Sequence, residues 1–80
     1  MQMDDYDHEK VAEMVLALLY LMLHHGNRAW KGMSWQAMND LFEAGYIEEP
    51  RNKTKSVMLT KHGLARSEEL FRLRFGRDRV

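Results

Sequence analysis

Cysteine is missing from this 80-residue chain. Without it there is no disulfide framework and no thiolate metal site, which fits a reducing compartment. Long apolar runs are missing too. The longest, Met14 to Leu23, has ten residues, about half of the roughly 20 that a membrane-spanning helix needs. The N-terminus reads Met-Gln-Met-Asp-Asp-Tyr-Asp, acidic where a secretory signal is basic. The expectation is a cytoplasmic protein with no membrane partner.

Catalytic signatures are equally scarce. Ser34, Ser56 and Ser67 stand in no nucleophile motif, and no glycine-rich phosphate loop occurs. His8-Glu9-Lys10-Val11-Ala12 begins like a zinc-protease helix, but Ala12 occupies the place of the second histidine. His24 and His25 are adjacent, so on a helix they point about 100° apart and do not readily share a metal. His62 and an N-terminal aspartate would have to complete such a site. The chain therefore reads as a binding protein with no cofactor, no metal and no enzymatic activity.

Net charge is near zero, with 12 basic and 12 acidic residues, but the charges are segregated. Residues 1–50 hold nine acids and three bases, and residues 51–80 hold nine bases and three acids. Such a division suits an anionic partner, or a self-complementary contact between an acidic and a basic surface. Solvated helix faces are the plainer explanation. Eighty residues make a single domain, 1–80, with 1–6 and 76–80 expected to fray. A domain this short buries only about 60% of its unfolded surface, so dimerisation is a common supplement.

Three helical segments stand out. Val11, Met14, Val15, Leu18, Leu19 and Met22 recur at three- and four-residue spacing, which predicts a long N-terminal helix. Its later half is apolar nearly all round, so Leu16, Tyr20 and Leu23 become candidates for contact with a partner or second copy. His24 and His25 fall in its last turn, and Gly26 is the expected stop. Residues 26–33 then form a short connector anchored by Trp30. Ser34 is the expected N-cap of a second helix, Trp35 to Ala44, closed by Gly45. Trp35, Met38, Leu41 and Phe42 would line its inner face, leaving Gln36, Asn39, Asp40 and Glu43 outward.

Tyr46-Ile47 and Val57-Met58-Leu59 predict two short strands around a polar, basic loop. Thr60 then caps a last helix from Lys61 to about Phe75, with Leu64, Phe71 and Phe75 on one face. The fold class is mainly α with a small β-hairpin (α+β).

This order resembles an abbreviated winged helix-turn-helix: long N-terminal helix, short connector, second helix, two-stranded wing, C-terminal helix. The resemblance rests on Leu41-Phe42-Glu43-Ala44-Gly45-Tyr46-Ile47 and on Val57-Met58-Leu59-Thr60-Lys61-His62-Gly63-Leu64. Both look like segments of MarR- and PadR-type regulators. With Arg28-Ala29-Trp30-Lys31-Gly32 included, the whole chain is also similar to a family of small bacterial domains of unknown function. Two features depart from the winged-helix pattern. Residues 26–33 are too few for a full intervening helix, and the second helix holds Asp40 and Glu43 but no Lys or Arg.

The resemblance implies DNA binding and transcription regulation. On that reading Gln36 and Asn39 face bases, because their amides pair bidentately with adenine. Arg51, Asn52, Lys53 and Lys55 in the wing, with Arg28 and Lys31 beside the helix start, meet phosphates of double-stranded DNA. The competing reading is a protein-interaction or dimerisation module on the same scaffold. It draws on the over-apolar first helix, seven methionines and Trp30 and Trp35.

Overall fold

The first helix, α1, is His8–Leu21. Asp7 caps it, its carboxylate accepting the Lys10 N–H at 3.1 Å. The computed structural model describes residues 5–31 and 34–77. Within them the elements run α1, β1 (Leu23–His24), β2 (Arg28–Trp30), α2 (Trp35–Glu43), β3 (Ser56–Met58) and α3 (Lys61–Phe75). The protein is α+β, three helices with a small three-stranded antiparallel sheet of order β1-β2-β3.

Three expectations need correcting. The first helix does not reach His25; it ends at Leu21, and the chain turns into a hairpin pairing Leu23 with Ala29 and His24 with Arg28. His25 (φ 47°) and Gly26 (φ 86°) make that reversal, so Gly26 serves a strand turn and not a helix stop. The connector of residues 26–33 accordingly contains a strand, β2, at Arg28–Trp30. Its Gly32 and Met33 lie outside the described residues.

The expected two-stranded wing is also different. Ile47 meets Leu59 in one isolated antiparallel bridge, extended by the Glu48 N–H donating to the Met58 carbonyl at 2.8 Å. The main partner of β3 is β2, through Arg28–Met58, Ala29–Val57 and Trp30–Ser56. Asn27 extends this join, its side chain donating to the Leu59 carbonyl while its own carbonyl accepts the Leu59 N–H, both at 2.8 Å.

The third correction concerns the aromatics. Alternation along β2 buries Ala29 and turns Trp30 outward, 53% exposed. On α2 the inward line is Ala37, Met38 and Leu41. Trp35 (58% exposed) and Phe42 are left on the flank. Ser34 precedes this helix without a side-chain capping bond.

The core is gathered around α1, whose Leu16, Ala17 and Leu19 are fully enclosed, with Met38, Ile47, Leu59 and Leu70 from the other elements. The α2–α3 junction is closed by backbone geometry. Gly45 (φ 83°) ends α2, its N–H donating to the Phe42 carbonyl while the Tyr46 N–H reaches Leu41, the paired bonds of a Schellman cap. Thr60 caps α3 by accepting the Gly63 N–H at 3.0 Å, and its hydroxyl donates to the Gly45 carbonyl at 2.6 Å. A Cβ on Gly63 would stand 1.7 Å from the Tyr46 carbonyl oxygen, so no side chain fits there.

Candidate nucleic-acid interface

β2 hands the chain to α2 through Lys31 and Ser34, which brings Trp30 and Trp35 to the same side of the molecule. They flank an open cleft of about 410 Å³, completed by Lys31, Met38, Asn52, Thr54 and Lys55. Trp30 is held face to face against His24, ring centroids 4.2 Å apart, so the hairpin fixes its orientation. The Lys31 ammonium lies 6.0 Å from the centre of the Trp35 ring, the outer limit for attraction to an aromatic face.

Lys31 also shapes the loop opposite. Its ammonium donates to the Pro50 carbonyl (2.7 Å), the Asn52 side-chain oxygen (2.9 Å) and the Asn52 carbonyl (3.3 Å). Its N–H donates to the Lys55 carbonyl at 2.9 Å. The Asn52 side-chain oxygen further accepts the Thr54 N–H at 3.0 Å. Pro50 is buried beneath the turn. Residues 50–55 therefore form a tethered loop and not a loose one, with Arg51, Lys53 and Lys55 exposed on it.

The expected site residues thus divide. Lys31, Asn39, Arg51 and Asn52 come together, Arg51 donating to the Asn39 side-chain oxygen at 3.2 Å. Lys53 and Lys55 share the loop, and Arg28 is half-buried in β2. Gln36 is exposed but donates to Asp40 at 3.2 Å. Lys31 and Asn52 chiefly hold the loop's shape. Of the residues expected at a partner contact, Leu16 must be withdrawn: it is fully buried and has no surface to offer. Tyr20 is half-buried against Phe71, 5.3 Å between ring centroids, and Leu23 is half-buried in β1.

The sequence places Trp30 as a connector anchor and Trp35 on the inner face of the second helix, and counts both toward a hydrophobic contact only in the protein-interaction reading. Trp30's outward placement depends on β2 being a strand, which three residues between a turn and a short connector do not announce, while Trp35 stands at the first position of α2, off the inward line of Ala37, Met38 and Leu41.

A second cleft, about 490 Å³, lies between the start of α1, the end of α2 and α3. Its polar lining includes His8, Glu13, Asp40, Tyr46 and Arg66. Arg66 meets Glu69 and, at 3.5 Å, Glu13. The Glu69 hydrogen bond holds the guanidinium pKa above its ordinary value. Among the described residues no three His, Asp or Glu side chains gather as a metal site would need, and no described helix is long and apolar enough to cross a membrane.

Residues 7–77 match the family described as "Domain of unknown function (DUF6429)", and the chain belongs to it. It is similar to the "Uncharacterized protein y4hR" of Sinorhizobium fredii (strain NBRC 101917 / NGR234), 51% identical over 73 residues, covering 91% of this chain and 99% of that relative. No solved structure matches the chain.

Proposed function

We propose that the domain is a small winged-helix-like module that binds nucleic acid, with double-stranded DNA the leading partner and transcription regulation in the cytoplasm the corresponding role. The observation that carries the reading is the tethered loop: Arg51, Lys53 and Lys55 stand exposed beside the cleft flanked by two half-exposed tryptophans. Loop cations neutralise phosphates without reading sequence, while flat indole faces offer stacking to any base that becomes accessible. The β2, β3 and Ile47 segments lie side by side, as strand and wing do in winged helices, which supports the resemblance stated above. Gln36 and Asn39 reach base edges only by exchanging their bonds to Asp40 and Arg51.

Both tryptophans of the chain border the cleft, so titrating mixed-sequence duplex while following intrinsic fluorescence reads this site. Binding should weaken steeply with salt, and Lys53→Glu with Lys55→Glu should flatten the log–log slope by about two. Affinity that is indifferent to salt, or no binding at low salt, rejects the reading.

A protein partner at the same cleft is the second reading. It is favoured by Asp40 and Glu43 on α2, which repel phosphate, and by tryptophan's enrichment at interface centres. Salt-insensitive fluorescence changes with a protein and none with DNA would favour it.

A further inference from the structure

We infer that the cleft flanked by Trp30 and Trp35 takes an unpaired base of a nucleic-acid strand, by stacking and without regard to which base it is. The inference rests on the nucleic-acid reading above and narrows it to a bulge, a gap or a single strand. Inside an intact duplex neighbouring pairs cover both faces of each base, so only an unpaired base has a face to give. The two indoles are 53% and 58% exposed. His24 stacks on Trp30 with ring centroids 4.2 Å apart, and one imidazole covers one face of an indole at most. Buried Met38 completes the apolar part of the lining.

The polar lining is already committed. The Asn52 amide nitrogen donates to the Glu49 carbonyl at 3.2 Å, and its oxygen accepts from Lys31, from the Thr54 N–H and from the Thr54 hydroxyl. The Lys31 ammonium meets three acceptors. No side-chain amide is left for bidentate readout of a base, and a peptide would bring its amides to donors and acceptors that are taken. Aromatic surface and charge remain. The lining holds Lys31 and Lys55 and no carboxylate. Asp40, Glu43, Glu48 and Glu49 stand nearby but line none of it, and Asp40 and Glu49 accept from Gln36 and from the Arg51 N–H. The Lys31 N–H bond to the Lys55 carbonyl continues the β2–β3 ladder past Trp30–Ser56. Lys55 is thereby fixed at the edge of the cleft, with Lys53 exposed two positions back. Phosphates along these cations would lead a strand to the rings.

The test titrates the full chain at low salt with one oligonucleotide sequence in four forms, following tryptophan fluorescence. The forms are fully paired, bulged by one unpaired nucleotide, bulged by an abasic nucleotide, and single-stranded. The base-bearing bulge and the single strand should bind about tenfold more tightly than the paired duplex and quench the fluorescence. The abasic bulge, with the same backbone but no base, should bind like the paired duplex. Trp35→Ala, which leaves Trp30 as reporter, should abolish the advantage of the bulge and keep affinity for the paired duplex within about twofold. Exchanging the unpaired base should change affinity by less than about fivefold. Adenosine monophosphate, the same kind of base with one phosphate, should not displace the strand at equal concentration. Equal affinity for paired, bulged and abasic forms overturns the stacking site, as does an advantage that survives Trp35→Ala, selection of one base, or displacement by the mononucleotide. In each of these cases salt-dependent binding of the duplex leaves the wider reading standing. Failure to bind any of the four forms overturns both.

Discussion

The junction between α2 and α3 and the cleft beside β2 are built on opposite terms. At the junction Gly45, Tyr46, Thr60 and Gly63 meet through backbone atoms and the Thr60 hydroxyl, with no room for another carbon at Gly63. At the cleft, large side chains stand in the open and only the loop behind them is secured. The first region tolerates little because its partners are rigid. The second can change its chemistry while the fold stays intact, which is what a binding surface requires.

Substitutions can sharpen that contrast. Gly63→Ala should be the most damaging, because its methyl group would collide with the Tyr46 carbonyl. We expect a loss of about 3 kcal/mol or more and a melting temperature lower by at least roughly 12 °C, read by thermal unfolding. A mild effect would mean that the junction yields.

Thr60→Val removes the cap and the bond to Gly45 together. It should cost about 2 kcal/mol in chemical denaturation, whereas Thr60→Ser should retain most of the stability. Gly45→Ala meets open space and has only its positive φ to oppose. About 1 kcal/mol is expected, so equality with Gly63→Ala would undo the distinction between crowding and conformation.

On the other side of the comparison, Lys31→Met should leave the helices as stable as before to within about 1 kcal/mol. It should nonetheless make residues 50–55 more open to limited proteolysis, since the ammonium's bonds to Pro50 and Asn52 are gone. Trp35→Ala should be the mildest for folding, within about 0.5 kcal/mol. In the fluorescence titration of the Trp30-only protein, affinity for a single-stranded oligonucleotide, whose bases offer free faces, should nonetheless fall roughly tenfold. A collapse of stability instead would place Trp35 in the core.

Legibility follows the same division. Thr60 and Gly45 could be read from the sequence because cap and stop depend on residue type over a few positions. The α+β class and the starts of the second and third helices were legible for the same reason. The hairpin at Leu23–Trp30 was not. Its strands have two and three residues, too short for alternation to show, and Leu23 continues an apolar run that looks helical. Trp30 followed from that hairpin, since strand alternation turns it outward, whereas Trp35 is exposed because the buried line of α2 runs through Ala37, Met38 and Leu41. Arg51, Asn52, Lys53 and Lys55 were legible as a polar loop, but its tether to Lys31 was not, because partners 19 and 21 positions apart carry no local signature.

That single ammonium has a kinetic corollary. By holding Pro50 and Asn52, Lys31 keeps the loop in one shape before any ligand arrives, so little backbone freedom remains to be surrendered on docking. Encounter should then be limited by diffusion and long-range attraction, with no slow folding step ahead of capture.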